Sequence, residues 1–381
     1  MTKIIENKFY LKNLNGIRAI AAMVVVFAHF EINFATPLGI NCIKIYESNI
    51  QASHAVTLFF VLSGFLITLL LIKEKKKNNV IKIKSFYLRR IFRIWPLYFL
   101  LILLLIAFNQ IIYGISFLSI ENVTQDLFIY TIFGGNFIEA YTTEIPLILA
   151  PIVILWSVGV EEQFYLIWPW LIKTTKRHAL LLLFIIIIFV GIRIAASLLN
   201  YNNLLTFFNL TRVDCMAIGG LGAVYLASSK DKLKKIVQKY LFNIPSQILL
   251  WLIFSSAFFK TPIHIFSVID CDFYSIIFIL MLINLTQNPK NIINLENKFF
   301  FFLGKISYGL YMYHVLLMYL IKAILSKTSV TIPNSPFYYL LSLIFFFMFT
   351  IIISFISFKY IENYFLKIKN NFALIKINKH Q

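Results

Sequence analysis

Charged residues are scarce in this chain of 381 residues: they make up 13% of the sequence, whereas hydrophobic residues make up 60%. Soluble proteins usually have about a quarter of their residues charged. A soluble domain of this length would need more polar surface than this composition supplies. Glycine and proline are also few, at 13 and 10, and the sequence excludes a collagen-like or a disordered protein. It predicts an all-α, polytopic membrane protein.

Cysteine is nearly absent, with three residues at positions 42, 215 and 271. An odd number of widely separated cysteines matches neither a zinc-binding spacing nor a disulfide framework. The sequence therefore predicts no metal site and excludes a small disulfide-stapled fold. One pairing stays open, between Cys42 and Cys271, if both lie in outward loops.

Long apolar stretches predict about ten membrane-spanning helices, because one crossing needs about 20 apolar residues. The predicted spans are 16–34, 53–72, 88–108, 146–172, 179–199, 212–228, 243–260, 271–287, 302–325 and 337–358. The first span is interrupted by Arg18 and His29, and the fourth carries Glu161 and Glu162. No internal repeat is evident.

Basic residues outnumber acidic ones, with a formal net charge of +19. In a soluble protein this excess would indicate a nucleic-acid partner. Here most cations fall in alternate connections between spans, and the other connections carry only Lys44, Lys260, Lys322 and Lys327. The positive-inside rule then places both termini in the cytoplasm and favours a bacterial cytoplasmic (inner) membrane, with membrane lipid rather than nucleic acid as partner.

The connections add three expectations. The loop 109–145 is long for a bare connection and is expected to form a partly ordered cap over an outward opening. The basic segment 367–381 is expected to lie on the inner membrane surface or to fray, separate from a membrane domain at 1–366. Neither a cleavable signal peptide nor an appended soluble domain is expected.

Ionisable residues within spans are costly, and each is therefore a candidate functional residue. Arg18 and His29 are eleven residues apart, which places them on one helix face and about 16 Å apart along the axis. Arginine suits phosphate binding and histidine suits proton transfer. A histidine that packs against a neighbouring helix is the alternative interpretation of His29.

Two further pairs fall at the inner end and in the middle of the membrane. Arg90 and Arg93 share a face of the third span, and topogenic charge or lipid-headgroup binding is the alternative to a substrate role. Glu161 and Glu162 must face a partner cation or a watery cavity, since they cannot both face lipid. Tyr165, one turn later, shares the face of Glu161.

The remaining polar groups have structural alternatives. Arg212 and Asp214 lie close together at the outer end of the sixth span, where an internal salt bridge is expected. Tyr308, Tyr311 and His314 lie on or near one side of the ninth span. A hydrogen-bond network within the core explains them as well as a functional site does.

Six motifs occur in order along the chain. They are LNGIRAIAAMVVVFAHF (14–30), LFFVLSGFLIT (58–68), FYLRRIFRIWPLY (86–98), LWSVGVEEQFYLIWP (155–169), TRVDCMAIGG (211–220) and GKISYGLYMYH (304–314). This set, over roughly residues 13–360, resembles the acyltransferase 3 family of integral membrane acyltransferases, which includes O-antigen and capsule O-acetyltransferases. The sequence departs from the family pattern at Asn15, where Asp is usual, and at His54-Ala55, where Gly is common.

The resemblance implies transfer of an acyl group, acetyl above all, from cytoplasmic acyl-CoA to a hydroxyl of an envelope glycan such as O-antigen, capsule or exopolysaccharide. Coenzyme A would be a co-substrate, with no bound cofactor. In this reading Arg18, Arg90 and Arg93 hold the phosphates, while neutral His29 deprotonates the acceptor hydroxyl.

Supporting roles stay open. Ser157, Tyr308 and His314 are candidate donors to the oxyanion, and Glu161 or Glu162 orients His29 or binds sugar hydroxyls. Arg212 and Asp214 support the site or the acceptor. Two other classes of protein fit the same features: a transporter or flippase, and an acyl-CoA sensor without turnover.

Overall fold

The computed structural model describes residues 10–35, 38, 51–114, 121–142, 146–229, 231–259, 268–328 and 332–372. The regular elements within these residues are helices, and 84% of the described residues are helical, which confirms the all-α prediction for this part of the chain. Backbone polar groups in lipid must be satisfied within the segment, and helices achieve this. Whether Cys42 pairs with Cys271 stays open because Cys42 lies outside the described residues.

Sixteen α-helices are present in the described residues. They are α1 (Leu14–Phe30), α2 (Ala52–Asn78), α3 (Ile83–Tyr113), α4 (Glu121–Thr131), α5 (Gly135–Tyr141), α6 (Leu155–Thr174), α7 (His178–Leu198), α8 (Asn202–Thr211), α9 (Val213–Ala227), α10 (Asp231–Leu241), α11 (Ile244–Ser256), α12 (Asp270–Gln287), α13 (Lys298–Lys305), α14 (Ser307–Thr328), α15 (Pro336–Ser357) and α16 (Asn363–Asn370). A π-helix (Glu31–Ala35) follows α1, a 3-10 helix (Leu147–Ile152) precedes α6, and a second π-helix (Phe358–Glu362) joins α15 to α16.

Seven helical segments are long and apolar enough to cross a membrane: Ala52–Asn78, Ile83–Ile112, His178–Leu198, Asn202–Ala227, Asp270–Gln287, Ser307–Thr328 and Pro336–Asn370. This is the pattern of a multi-pass membrane protein. The shorter apolar helices α1 and α11 coincide with two more predicted spans. Helix α6, with 20 residues, covers part of the fourth span, 146–172, and carries Glu161 and Glu162. The count of ten stays a prediction.

The helix ends that the charge pattern assigns to one side do lie together. The N-terminal ends of α1 and α3 meet the C-terminal ends of α2, α6 and α12, and we name this the basic end. The contacts that join these ends are Lys75 Nζ to Lys173 O at 2.9 Å, Arg89 Nη2 to Glu74 Oε2 at 3.1 Å and Asn13 Nδ2 to Leu285 O at 2.8 Å. The alternating direction of the helices is thereby supported, while the cytoplasmic location of the basic end stays a prediction.

The described residues of the predicted loop 109–145, which are 109–114 and 121–142, contain the end of α3 and the helices α4 and α5, separated by a short turn. The Tyr98 hydroxyl on α3 donates to the carbonyl oxygen of Tyr130 at 2.6 Å, and Gln163 on α6 exchanges hydrogen bonds with Asn136 on α5. Burial raises the pKa of the Glu139 carboxyl to about 7, although Tyr130 donates a hydrogen bond to it. Helices α4 and α5 are therefore anchored on α3 and α6, while their position over an outward opening stays a prediction.

Helices α2 and α9 pack backbone to backbone through two glycines. A Cβ at Gly64 would lie 1.9 Å from Met216 O, and one at Gly219 would lie 2.1 Å from Val61 O. Small residues at helix interfaces in membranes permit this close approach.

We expect Gly64→Ala to destabilise the protein by about 1–3 kcal/mol, because the added methyl group must push two backbones apart. Thermal unfolding in detergent, followed by intrinsic fluorescence, measures the effect. Gly191→Ala on α7 is the matched control, since a Cβ there would meet nothing within 4 Å. Equal melting temperatures for the two variants would contradict the prediction.

Candidate functional site

An open cavity, whose empty space is ≈ 820 Å³ when its mouth is included, lies among α1, α2, α3, α6 and α14. We name it the arginine cavity because Arg18, Arg90 and Arg93 line it together with one carboxylate, Glu161. The rest of its lining is a mixture of aliphatic, aromatic and hydroxyl side chains: Val56, Phe59, Phe60, Ser63, Leu66, Ile67, Ile94, Ser157, Val158, Tyr165, Ser307, Tyr308 and Tyr311. The structure thus brings together the three arginines that the sequence placed at the inner ends of two separate spans.

The three guanidinium groups keep their donors available. Arg90 packs over the rings of Tyr165 and Phe86, at 5.6 and 5.9 Å from the ring centroids, and its Nε is buried without a hydrogen bond. Arg18 and Arg93 donate no hydrogen bond to any residue that the structure describes. Because a guanidinium group matches phosphate geometry, this end of the cavity can bind a polyphosphate.

The two adjacent glutamates point to different partners. Glu161 accepts hydrogen bonds from Ser63 Oγ at 2.5 Å and from the Tyr165 hydroxyl at 3.0 Å, which confirms that Glu161 and Tyr165 share a helix face. Glu162 accepts from Trp95 Nε1 at 2.9 Å on α3, and its other oxygen is buried without a partner. Glu161 therefore faces the cavity, and Glu162 faces α3.

His29 on α1 contacts His314 on α14, with its Nδ1 2.9 Å from His314 Nε2. Nδ1 of His314 lies 2.7 Å from Tyr311 O, a carbonyl oxygen that can only accept. The proton of neutral His314 must therefore be on Nδ1, so that its Nε2 accepts a hydrogen bond from the N–H at His29 Nδ1. In this tautomer the unprotonated nitrogen of His29 is Nε2, which is the form that a general base requires.

His29 is partly exposed and is not among the residues that line the arginine cavity. Tyr311 lines the cavity, and its ring centroid lies 5.9 Å from that of buried His314, which in turn lies 5.0 Å from the ring of His29. The cavity and His29 are thus connected through the side chains of α14. His29 is oriented by His314 rather than by Glu161 or Glu162 in the described contacts.

The hydroxyl groups of Ser157, Tyr308 and Tyr311, which line the cavity, are already engaged in hydrogen bonds. The Tyr308 hydroxyl donates to Ile94 O at 3.0 Å. Ser157 Oγ and the Tyr311 hydroxyl lie 2.6 Å apart and both contact Ile154 O. Because the Nδ1 proton of His314 is also engaged, stabilisation of an oxyanion by Ser157, Tyr308 or His314 would require a change of hydrogen-bond partner.

The expected salt bridge between Arg212 and Asp214 is wrong. Arg212 has a left-handed backbone conformation (φ 42°) between α8 and α9, and its side chain donates to Ser53 and Thr57 at the start of α2. Asp214 is fully buried and pairs with Arg193 at 2.5 Å. The backbone turn at Arg212 directs the two neighbouring side chains to different helices.

Several polar residues that line or border the arginine cavity are not among the predicted site residues, and they include Ser63, Tyr165, Ser307, Tyr311, Glu362 and Lys369. Tyr311 was recognised only as a neighbour of Tyr308 and His314 on one helix side. Ser63 lies within the motif LFFVLSGFLIT, and its spacing gave no sign of the contact with Glu161. Glu362 and Lys369 lie at the end of the last span and in the basic tail, where charge is ordinarily attributed to topology.

Comparison with known proteins identifies relatives of this chain. A family model described as an acyltransferase domain matches residues 11–359. The chain is 27% identical over 326 residues to a protein of Staphylococcus aureus (strain COL) named provisionally as an O-acetyltransferase, an alignment that covers 80% of this chain and 50% of the relative. It is 27% identical over 327 residues to the O-acetyltransferase OatA of Staphylococcus aureus (strain NCTC 8325 / PS 47), with the same shares of the two chains.

A shorter alignment, of 168 residues at 29% identity, relates the chain to the peptidoglycan O-acetyltransferase OatA of Listeria monocytogenes serovar 1/2a and covers 42% of this chain and 24% of the relative. The chain spans about half the length of the two Staphylococcus relatives. No solved structure gives a significant match. The family match covers nearly the whole chain, and the chain therefore belongs to the acyltransferase 3 family.

Proposed function

We propose that this chain is a membrane O-acyltransferase that moves an acyl group, acetyl above all, from acyl-CoA to a hydroxyl of an envelope glycan. The observation that carries the proposal is the arrangement along α1: Arg18 opens into a cavity with two more free guanidinium groups, and His29 presents an unprotonated nitrogen three helical turns away. Family membership supports the reaction type, and the names of the relatives support acetyl as the acyl group.

The donor is proposed to enter from the basic end. Its phosphates bind Arg18, Arg90 and Arg93, and its pantetheine arm follows the cavity towards Tyr311, a distance comparable with the rise of about 16 Å from Arg18 to His29. The positive-inside rule makes the basic end cytoplasmic, which is the side that supplies acyl-CoA. We place the protein in the bacterial cytoplasmic membrane on this basis.

In the transfer step, His29 Nε2 takes the proton of the acceptor hydroxyl while the hydroxyl oxygen forms a bond to the thioester carbon. The carbon–sulfur bond then breaks, the sulfur keeps the electron pair, and the proton ends on the thiol of coenzyme A. His314 holds the required tautomer of His29 through its own bond to Tyr311 O. Glu161, held by Ser63 and Tyr165, is available for sugar hydroxyls.

The acceptor is an envelope glycan reached from the opposite end of the bundle. O-antigen, capsule and exopolysaccharide follow from the resemblance, and the name of the Listeria relative adds peptidoglycan. Mass spectrometry of the envelope glycans of intact and deletion strains distinguishes these acceptors, because only the true acceptor loses acetyl mass.

Incubation of the purified, membrane-reconstituted chain with radiolabelled acetyl-CoA and an envelope glycan tests the proposed function. We expect label in the glycan, removed by mild alkali as an ester is. Glycan transport without ester-linked label would instead support a transporter, and coenzyme A binding without product would support a sensor. Either outcome would contradict the proposal.

We expect Arg18→Gln to weaken acyl-CoA binding by roughly tenfold or more, because one hydrogen-bonded charge pair contributes about 1.5–3 kcal/mol. Equilibrium binding of radiolabelled coenzyme A measures the effect. Arg177→Gln is the matched control, since Arg177 is exposed and lies just before α7. Unchanged binding by a folded Arg18→Gln protein would remove Arg18 from the donor site.

A further inference from the structure

The last described helix, α16, packs against the start of α3 at the basic end of the bundle. Helix α15 continues through the π-helix Phe358–Glu362 into α16, which packs on α3. Arg89 Nη1 donates to Phe372 O at 2.9 Å, and the rings of Phe92 and Phe372 stack at 5.9 Å. Residues 363–372 are therefore a part of the packed bundle at the basic end.

Lys369 on α16 lies in an unusually cationic environment. It is half-buried on a helix that packs on α3, the helix that carries Arg89, Arg90 and Arg93. The positive charges of Arg93, Arg90, Arg18 and Arg89 repel its ammonium group. It donates no hydrogen bond to the residues that the structure describes. A shielded ammonium group among like charges is unfavourable unless an anion compensates it.

Arg89 and Glu74 form an ion pair at 3.1 Å. Of these five cations, Arg18, Arg90, Arg93 and Lys369 are therefore left without a carboxylate partner at contact distance among the described residues. The first three line the cavity, whereas Lys369 is not part of its lining and lies towards the basic end. A ligand that satisfies all four groups must carry several anionic centres, some within the cavity and at least one outside it.

Glu362 stabilises this arrangement from the same helix face, seven residues before Lys369. Its carboxylate is buried, with one oxygen lacking a hydrogen-bond partner, and it attracts Arg93 electrostatically. It also lies beside Gly309 on α14, where a Cβ would come within 3.3 Å of Glu362 Oε1. Glu362 thus offsets part of the positive charge of Arg93, while Lys369 has no carboxylate at contact distance among the described residues.

We propose that Lys369 is a donor-binding residue that contacts the ribose 3′-phosphate at the nucleotide end of coenzyme A. Helix α16 thereby favours a thioester carried on a nucleotide over one carried on phosphopantetheine alone. This inference rests on the proposed function. It follows from the direction of the ligand: with the thioester towards Tyr311 and the diphosphate at the arginines, the nucleotide end emerges where Lys369 lies.

Binding of coenzyme A and of dephospho-coenzyme A, which lacks the 3′-phosphate, tests this assignment in a double-mutant cycle. The cycle uses the full chain in lipid nanodiscs, with Lys369→Gln and, as matched control, Lys367→Gln at an exposed position of the same helix. We expect Lys369→Gln to weaken coenzyme A binding by roughly tenfold and to leave dephospho-coenzyme A binding unchanged. Lys369→Arg should restore most of the difference, and Lys367→Gln should change neither affinity.

The outcomes separate this inference from the function on which it rests. A wild-type protein that binds no coenzyme A contradicts both. A wild-type protein that binds it, with Lys369→Gln binding it equally well, contradicts only the role of Lys369. An equal loss for both ligands in a variant with an unchanged melting temperature also overturns the assignment, because Lys369 would then not recognise the 3′-phosphate.

Discussion

Replacing His29 by alanine is expected to lower kcat for acyl transfer by about 10²–10⁴-fold, which is the usual contribution of a positioned general base. The donor affinity should change little, because His29 is not among the residues that line the arginine cavity. Single-turnover transfer from radiolabelled acetyl-CoA gives the rate, and equilibrium coenzyme A binding gives the affinity. The two measurements together separate a lost base from a lost binding site.

The control for this prediction is His178→Ala. His178 begins α7, its Nε2 lies 3.1 Å from Ile172 O, and it is not among the residues that line the arginine cavity. The acyl-transfer rate of His178→Ala should match that of the wild-type protein. A folded His29→Ala protein with undiminished transfer would eliminate the proposed base. A folded protein that has lost transfer and donor binding together would show that His29 acts on the donor instead.

His314 has a different expected signature, because it acts through His29 and does not receive the hydroxyl proton. His314→Ala removes the acceptor for His29 Nδ1 and frees the imidazole to adopt either tautomer. The rate should fall, but less than in His29→Ala, and a second substitution at His29 should then add little. Such non-additivity would distinguish a positioning pair from two independent structural histidines.

The sequence predicted that the three arginines converge, because helix periodicity and the positive-inside rule act locally; their role in donor binding stays a prediction. Arg18 and the pair Arg90–Arg93 each begin a span at the same membrane side, and helices that start together bring their first turns together. The contact between Glu161 and Tyr165 follows likewise from one helical turn.

The contacts that the sequence did not predict join residues far apart in the chain. His29 and His314 are separated by 285 positions, and no periodicity specifies which helix packs on which. Asp214 and Arg212 are close in sequence, which favours a salt bridge between them. Arg212 itself, however, has a left-handed backbone conformation between two helices, and its side chain is directed to Thr57 on α2. Lys369 was counted with the basic tail, since charge composition alone cannot show that α16 folds back on α3.

Replacing Arg193 by methionine is expected to destabilise the fold by about 3–5 kcal/mol, because it leaves uncompensated charge in the interior. Arg193 on α7 is fully buried and pairs with Asp214 on α9 and with Asp272 on α12. Without the guanidinium group, two carboxylates face each other among helices that have no other described cation at contact distance. Such a loss is a large fraction of the stability of an ordinary protein.

The stability of Arg193→Met is compared with that of Arg177→Met, an exposed arginine just before α7. Size-exclusion profiles in detergent should show aggregation of Arg193→Met. Melting temperatures should show that Arg177→Met changes the free energy of unfolding by no more than about 0.5 kcal/mol. Neutralising both carboxylates as well, with Asp214→Asn and Asp272→Asn, should recover part of the loss, since the variant then buries no net charge. If Arg193→Met melted like the wild-type protein, the three helices would be held by packing alone. Because none of the three residues lines the arginine cavity, any activity lost in this variant should follow the folded fraction.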